Sequence, residues 1–133
     1  MTSVMAYYQH RVDGPELVNH EKELRTYRDL VALFNDFPWA REMEMFEKYE
    51  EGGGFYFVLG DENGIHATYQ YVPMELNKGW LEINVLLKEG FLFFGRQKAT
   101  KDFDIVSNTE AQQKIKELFE YSVESLYKKY KKK

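Results

Sequence analysis

Three histidines, four serines and a dense run of carboxylates are the side chains of this sequence best able to do chemistry. His10, His20 and His66 stand at neither the i, i+4 nor the H-x-H spacing that brings two imidazoles to one side of a metal ion. The neighbours Asn19 and Glu21 make the setting of His20 polar, and His66 alternates with Ile65, so both read as solvated or sheet-face positions. None of Ser3, Ser107, Ser122 or Ser125 sits in a G-x-S-x-G elbow, and Ser107 has Glu110 three residues on, the spacing of a helix capping box. Gly52, Gly53 and Gly54 are consecutive, unlike the spaced glycines of a dinucleotide or phosphate loop, and no Lys-Ser/Thr pair follows, so they read as a turn. With no cysteine there is no disulfide framework, thiol nucleophile or Cys-based zinc site. The expectation is a non-enzymatic chain with no catalytic residue, no metal and no cofactor.

The carboxylates offer recognition instead. Glu42, Glu44, Glu47, Glu50 and Glu51 fall within ten residues, interrupted by Arg41 and Lys48, and form either a solvated face or an acidic patch for a basic partner. The net charge of −4 understates the acidity of the body, because five of the eighteen basic residues (Lys128, Lys129, Lys131, Lys132, Lys133) lie in the last six positions. The rest carries thirteen basic against twenty-two acidic residues, a net charge of −9. Such a body repels nucleic acid and attracts basic proteins, while the terminal lysines complement a helix macrodipole. The segment GFLFFGRQK lacks the basic-Gly-aromatic-Gly-aromatic order of an RNA-stacking strand and reads as a core strand. No apolar run reaches membrane-span length and residues 1–11 lack the apolar core of a signal peptide, so the expected location is the cytoplasm.

A second candidate surface comes from alternation. Tyr56 or Phe57, then His66, Thr68, Gln70, Trp80, Glu82 and Asn84 fall on the polar side of strands whose other side is strongly apolar. Trp and Tyr among polar residues either cover a sheet's second face or anchor a partner. The partner-binding candidates are therefore Glu42, Glu44, Glu47, Tyr56, His66, Gln70, Trp80 and Glu82.

The elements that must position them are readable from periodicity. Residues 4–12 suggest a first strand closed by the Asp13-Gly14-Pro15 turn, followed from Pro15 to about Asn35 by a helix with Leu24, Tyr27, Leu30, Val31 and Phe34 as its stripe. Residues 39–51 fit two periods: Trp39, Met43 and Phe46 fall on one helix face, whereas Met43, Met45 and Tyr49 alternate; entry into the glycine turn tips the expectation toward strand. FYFVLG and IHATYQYV flank Asp61-Glu62-Asn63-Gly64, the signature of a tight hairpin. GWLEINVLL and FLFF are expected to pair antiparallel, with a short strand at Phe103 and Ile105. From Ser107 one long helix carries Ile115, Leu118, Phe119, Val123, Leu126, Tyr127 and Tyr130. The sum over residues 1–133 is a single α+β domain: an antiparallel sheet of about five or six strands packed by an N-terminal helix and a long C-terminal helix. Its 17% aromatic content can serve a core or an interface.

This layout, with the FPW and GGGFYFVLGD segments, resembles the small immunity proteins of interbacterial toxin systems. The resemblance is one of layout, acidity and size, spans most of the chain and carries no functional residue across. It implies a bacterial inhibitor that occludes the active site of a basic toxin or enzyme. The same element order also resembles helix-grip lipid-binding and polyketide-cyclase-like domains, which clasp an apolar ligand between a curved sheet and the closing helix. A third possibility, a homo-oligomeric module, needs only exposed strand edges or apolar patches.

Overall fold

The computed structural model describes residues 3–61, 64–88 and 97–131. The run VMAYYQH alternates apolar and polar residues and forms strand β1, Val4–His10, with Val4 and Ala6 fully buried. The chain reverses through Asp13-Gly14-Pro15 into β2, Val18–Leu24, which pairs antiparallel with β1 from Val4↔Leu24 to His10↔Val18. The helix expected from Pro15 is thus two elements. Its first half is an edge strand of mostly exposed charged residues, and only Leu24 is buried. The break is set by Thr26, whose extended backbone opens helix α1, Tyr27–Asp36, while the Asp29 carboxylate accepts from the backbone N–H groups of Arg25 and Thr26 at 2.9 and 3.2 Å.

Residues 39–49 correct the expectation of a strand: they form helix α2, Trp39–Tyr49. Ala, Arg, Glu, Met and Lys favour a helix, and Pro38 stands at the N-cap with no N–H to lose. The Trp39 indole N–H donates to the Phe34 carbonyl at 2.7 Å, fixing the corner between α1 and α2. The helix stops where Glu50 turns left-handed (φ 54°) and its N–H bonds the Phe46 carbonyl. The three glycines then run alongside β1 instead of turning. A Cβ on Gly53 would lie 2.2 Å from the Gln9 carbonyl oxygen, so only glycine admits this approach.

Strands β3, Phe55–Gly60, and β4, His66–Glu75, pair as the alternation predicts, from Phe55↔Tyr71 to Gly60↔His66. Glu62 and Asn63 of their turn lie outside the described residues. Strand β5, Lys78–Lys88, pairs with β4 and with β6, Gln97–Ser107. The strand expected at residues 91–94 also lies outside the described residues, and β6 is longer than the short strand predicted around Phe103. The register of β6 shifts between Leu81↔Asp104 and Glu82↔Asp102, leaving Phe103 as the extra residue of a bulge with Asp104 at φ 59°. The six-stranded sheet is antiparallel throughout, in the order β2-β1-β3-β4-β5-β6.

Ser107 caps as its spacing predicts, its Oγ accepting from the Glu110 N–H at 3.1 Å. The long C-terminal helix does not follow. The chain forms α3, Asn108–Ile115, a single turn α4, Glu117–Glu120, and α5, Val123–Tyr130. Tyr121 is extended and Ser122 starts a new helix by accepting from the Ser125 N–H at 3.1 Å, which redirects the chain so that Leu126 is fully buried. The buried apolar residues of the described helices, including Leu30, Phe34, Ala111, Ile115, Leu118 and Leu126, join one core with Ala6, Phe57, Tyr69, Ile83 and their strand neighbours. No described helix lies over the sheet's other face. Among the described residues no helix is long and apolar enough to cross a membrane.

Candidate functional site

Register across the sheet assembles the helix-free face from rows of side chains. One row runs Glu21, Tyr7, Tyr56, Gln70, Glu82 and Asp102 across all six strands. The next contains Val72, Trp80 and Ile105, and another contains Val58, Thr68, Asn84 and Thr100. Of the residues singled out in the sequence, Tyr56, His66, Gln70, Trp80 and Glu82 are brought onto this one face, together with Thr68 and Asn84. The alternative to Tyr56 was Phe57, and Phe57 is wholly in the core. Val58 and Thr68 at the middle of the face are buried, whereas Tyr56 is 41% exposed.

The polar groups of this face are held by bonds across and along the strands. The Trp80 indole N–H donates to Asp102 at 2.6 Å, Asn84 donates to Glu82 at 3.0 Å, and Thr100 donates to Asn84 at 3.0 Å. Gln9 donates to Asn19 at 2.7 Å. His66 Nδ1 lies 2.9 Å from the Gly64 carbonyl oxygen at the start of its own strand, a local contact that ties its ring to the turn. Around the Tyr7 and Tyr56 pair is a groove of about 740 Å³, lined also by Gln9, Asn19, Glu21 and Gln70, with Gly52–Gly54 along one wall. At the other end, Val72, Trp80 and Ile105 adjoin the β4–β5 hairpin, where Met74 and Leu76 are 48% and 59% exposed; Ile105 is 49% exposed. The composition is the apolar row Val72, Trp80 and Ile105, two tyrosines, and the carboxylates Glu21, Glu23, Glu82 and Asp102, of which Glu23 pairs with Arg25 at 3.0 Å.

The acidic candidates of α2 do not join it. Glu42 is 3% exposed and faces inward, where its carboxylate accepts from the Arg11 backbone N–H at 3.1 Å and from the Arg11 guanidinium at 3.2 Å. It is a buried structural ion, not part of an exposed patch. Arg11, 1% exposed, completes the arrangement by donating to the carbonyls of Pro15 and Glu51 at 2.9 and 2.6 Å, and Arg41 donates to the Arg11 carbonyl. Glu44 and Glu47 are exposed, but α2 belongs to the helical layer, where Trp39 packs on Phe34 and Phe55.

Elsewhere the buried Glu117 is satisfied by its neighbours, whereas the buried His20 Nε2 has no hydrogen-bond partner. Glu117 accepts from Tyr69 at 2.7 Å, from Tyr130 and from Lys129. Burial pushes the Glu117 carboxyl up, but the bonds from Lys129, Tyr130 and Tyr69 and the lysine charge outweigh it and hold the carboxyl below its ordinary range. Burial, with the nearby Tyr130 and Glu117, pushes the Tyr69 phenol far up, so it remains a donor. His10 and His20 stack face to face at 4.1 Å between Tyr8 and Phe37, an arrangement of ring faces that presents no convergent nitrogen lone pairs. No group of three or more metal-ligating side chains occurs among the described residues.

Residues missed in the sequence are Tyr7, Gln9, Asn19 and Glu21 of the groove and Met74, Leu76 and Ile105 of the apolar end. Asn19 and Glu21 were obscured by reading β2 as helix; Tyr7 and Gln9 lie on the expected first strand, and Asn19 and Glu21 stand beside them only once β2 pairs with β1. Comparison of the chain with protein-family models, with curated proteins and with solved structures gives no match, so the functional argument stands on its own residues and geometry.

Proposed function

We propose that this chain is a non-enzymatic protein-binding domain, an immunity or inhibitor protein that neutralises a basic toxin or enzyme by occluding its active site. The supporting observation is the helix-free sheet face, whose register sets the row Val72, Trp80 and Ile105 beside a row that holds Tyr7 and Tyr56 with Glu21, Glu82 and Asp102. Rings and aliphatic groups set beside charged ones are what a specific interface uses. The acidic rim speeds encounter with a basic partner, and the apolar cluster holds it once docked. Its supports are therefore Tyr56, Gln70, Trp80 and Glu82 from the expected set, with Tyr7, Glu21 and Ile105 added.

The helix-grip carrier is the less supported reading. Its ligand would lie between sheet and closing helices, and there Phe34, Phe55 and Phe57 stack with centroids 5.1 and 5.8 Å apart amid fully buried aliphatic side chains.

The test is capture of partners by the tagged protein at low salt, followed by titration calorimetry with the purified candidate. Trp80→Ala and Ile105→Ser should each weaken a basic partner by about tenfold or more. Charge reversal of Glu44 and Glu47 should leave its affinity unchanged. A partner whose binding responds to the α2 changes and ignores the sheet-face changes would sink the proposal, as would a co-purifying apolar small molecule displaced by neither.

A further inference from the structure

We propose that β6 is an interface between two copies of this chain: residues 98–102 of each pair antiparallel about a two-fold axis at Thr100, joining two six-stranded sheets into one. The inference goes beyond the basic-partner reading and does not rest on it. β6 ends the strand order among the described residues, so the outer N–H and C=O groups of its backbone face no neighbouring strand there. Gln97, Lys98, Thr100, Lys101 and Asp102 are exposed, and only Ala99 of this stretch is buried. From Leu86↔Lys98 to Glu82↔Asp102 the pairing with β5 runs without interruption, and the bulge at Phe103 follows at once. Thr100 is the midpoint of that regular segment. A two-fold axis there uses all of the segment and leaves the bulge of each copy outside the contact.

Charge supports the same register. Residues opposite each other in an antiparallel pair share a face of the sheet. Under this symmetry Lys98 of each copy stands opposite Asp102 of the other, with Thr100 opposite Thr100 between the two charge pairs, and on the helix side each Lys101 meets the small Ala99. Opposite charges and Thr–Thr pairs are favourable cross-strand neighbours. Lys98 enters none of the described ion pairs. Asp102 uses its Oδ1 to accept from the Trp80 indole and the Asp104 N–H, which leaves Oδ2 for the ammonium of the second copy. The other edge of the sheet offers no such match. In β2, Lys22 lies on the opposite face from Glu21 and Glu23, so no two-fold register within Val18–Leu24 sets a cation against a carboxylate, and the one centred on the strand opposes Glu21 to Glu21. In the joined sheet both helical layers lie on one side and both helix-free faces on the other.

Sedimentation velocity between about 1 µM and about 500 µM should show a concentration-dependent equilibrium of monomer and dimer. Lys98→Asp and Asp102→Lys each set like charges opposite one another and should weaken the dimer about tenfold or more, whereas an equimolar mixture of the two variants should dimerise, because every opposed pair is then complementary. The mixture separates a charge effect from a folding defect, since a misfolded variant is not rescued by its counterpart. The chain has no cysteine, so Thr100→Cys gives one thiol per copy, held at the axis within disulfide reach, and mild oxidation should link it as a dimer on a non-reducing gel. Lys98→Cys, whose two thiols would stand about 13 Å apart along the strands, and Glu21→Cys on β2 should stay unlinked. A monomer at every concentration would overturn the proposal, as would a dimer indifferent to Lys98→Asp. Linkage through Glu21→Cys and not through Thr100→Cys would put the contact at β2 and reject this one. Growth past the dimer, weakened by Glu23→Lys as well as by Lys98→Asp, would mark open-ended pairing of β2 with β6 and reject the two-fold contact. The capture experiment judges the basic-partner reading separately from all of these outcomes.

Discussion

Arg11 and Glu42 are almost inaccessible to water, yet each charge has its partner and the guanidinium also binds two carbonyls. Removing one member leaves the other buried and uncompensated, which costs more than the intact pair contributes. Glu42→Ala should therefore lower stability by about 3 kcal/mol in urea unfolding, and a paired apolar replacement of both residues should recover a large part of that loss. A second prediction belongs to His20, whose Nε2 is buried without a hydrogen-bond partner and whose ring stacks on Tyr8 and His10. Burial pushes its imidazole below the ordinary histidine range and the neighbouring His10 adds to that, so the unfolded chain binds the proton more readily than the folded one. The contribution of His20 is then fully present above the unfolded value of about 6.5 and is lost as pH falls through it toward the lowered folded value. Urea midpoints should fall as pH drops from about 7 to about 5, and His20→Phe should flatten that slope; an unchanged slope in the variant would remove His20 as its source.

Among the elements, the C-terminal segments depend on a cap that breaks what the apolar stripe would otherwise continue. Ser122→Ala removes the acceptor for the Ser125 N–H and should cost about 1 kcal/mol, measurable as a shift in urea midpoint at constant slope. The sequence makes several elements legible for the same local reason: alternation in FYFVLG, ATYQY and GWLEINV is strong because one side of each strand is fully buried. β2 was not legible, since an edge strand buries only Leu24 and its charged residues mimic a solvated helix; the Thr26-x-x-Asp29 cap was the available sign of a boundary. At residues 39–49 the helix formers outweighed the alternation, because the inward positions include Glu42, whose burial depends on Arg11 thirty-one residues earlier. Such a pairing leaves no periodic trace. The candidate face divided along the same line: Tyr56, Gln70, Trp80 and Glu82 come from well-patterned strands, whereas the groove needs the partner strand β2. The break at Tyr121 and Ser122 was hidden because the apolar spacing persists across it.

For the molecule as a whole, acidic residues are spread over both layers, since the helices also carry Glu44, Glu47, Glu110, Glu120 and Glu124. Glu21, Glu23, Glu82 and Asp102 fringe the helix-free face, while Lys128, Lys129 and Lys131 are carried by the last described helix and its C-cap in the opposite layer. A basic partner approaching such an acidic body is drawn to it, so steering speeds encounter. The dependence is strongest when the ionic atmosphere is thin and weakens as the Debye length contracts to about 8 Å at physiological salt. Reversing Glu21, Glu23 and Glu82 to lysine should therefore slow association by about tenfold or more at low salt and flatten its salt dependence, with a smaller change in dissociation. Trp80→Ala should do the converse, speeding dissociation while leaving the salt slope of association intact, because an apolar anchor acts after contact. Stopped-flow measurements across a salt series separate the two effects. Equal rates for wild type and the triple reversal would take the acidic rim out of recognition and leave only the rings and aliphatic groups of the face to account for binding.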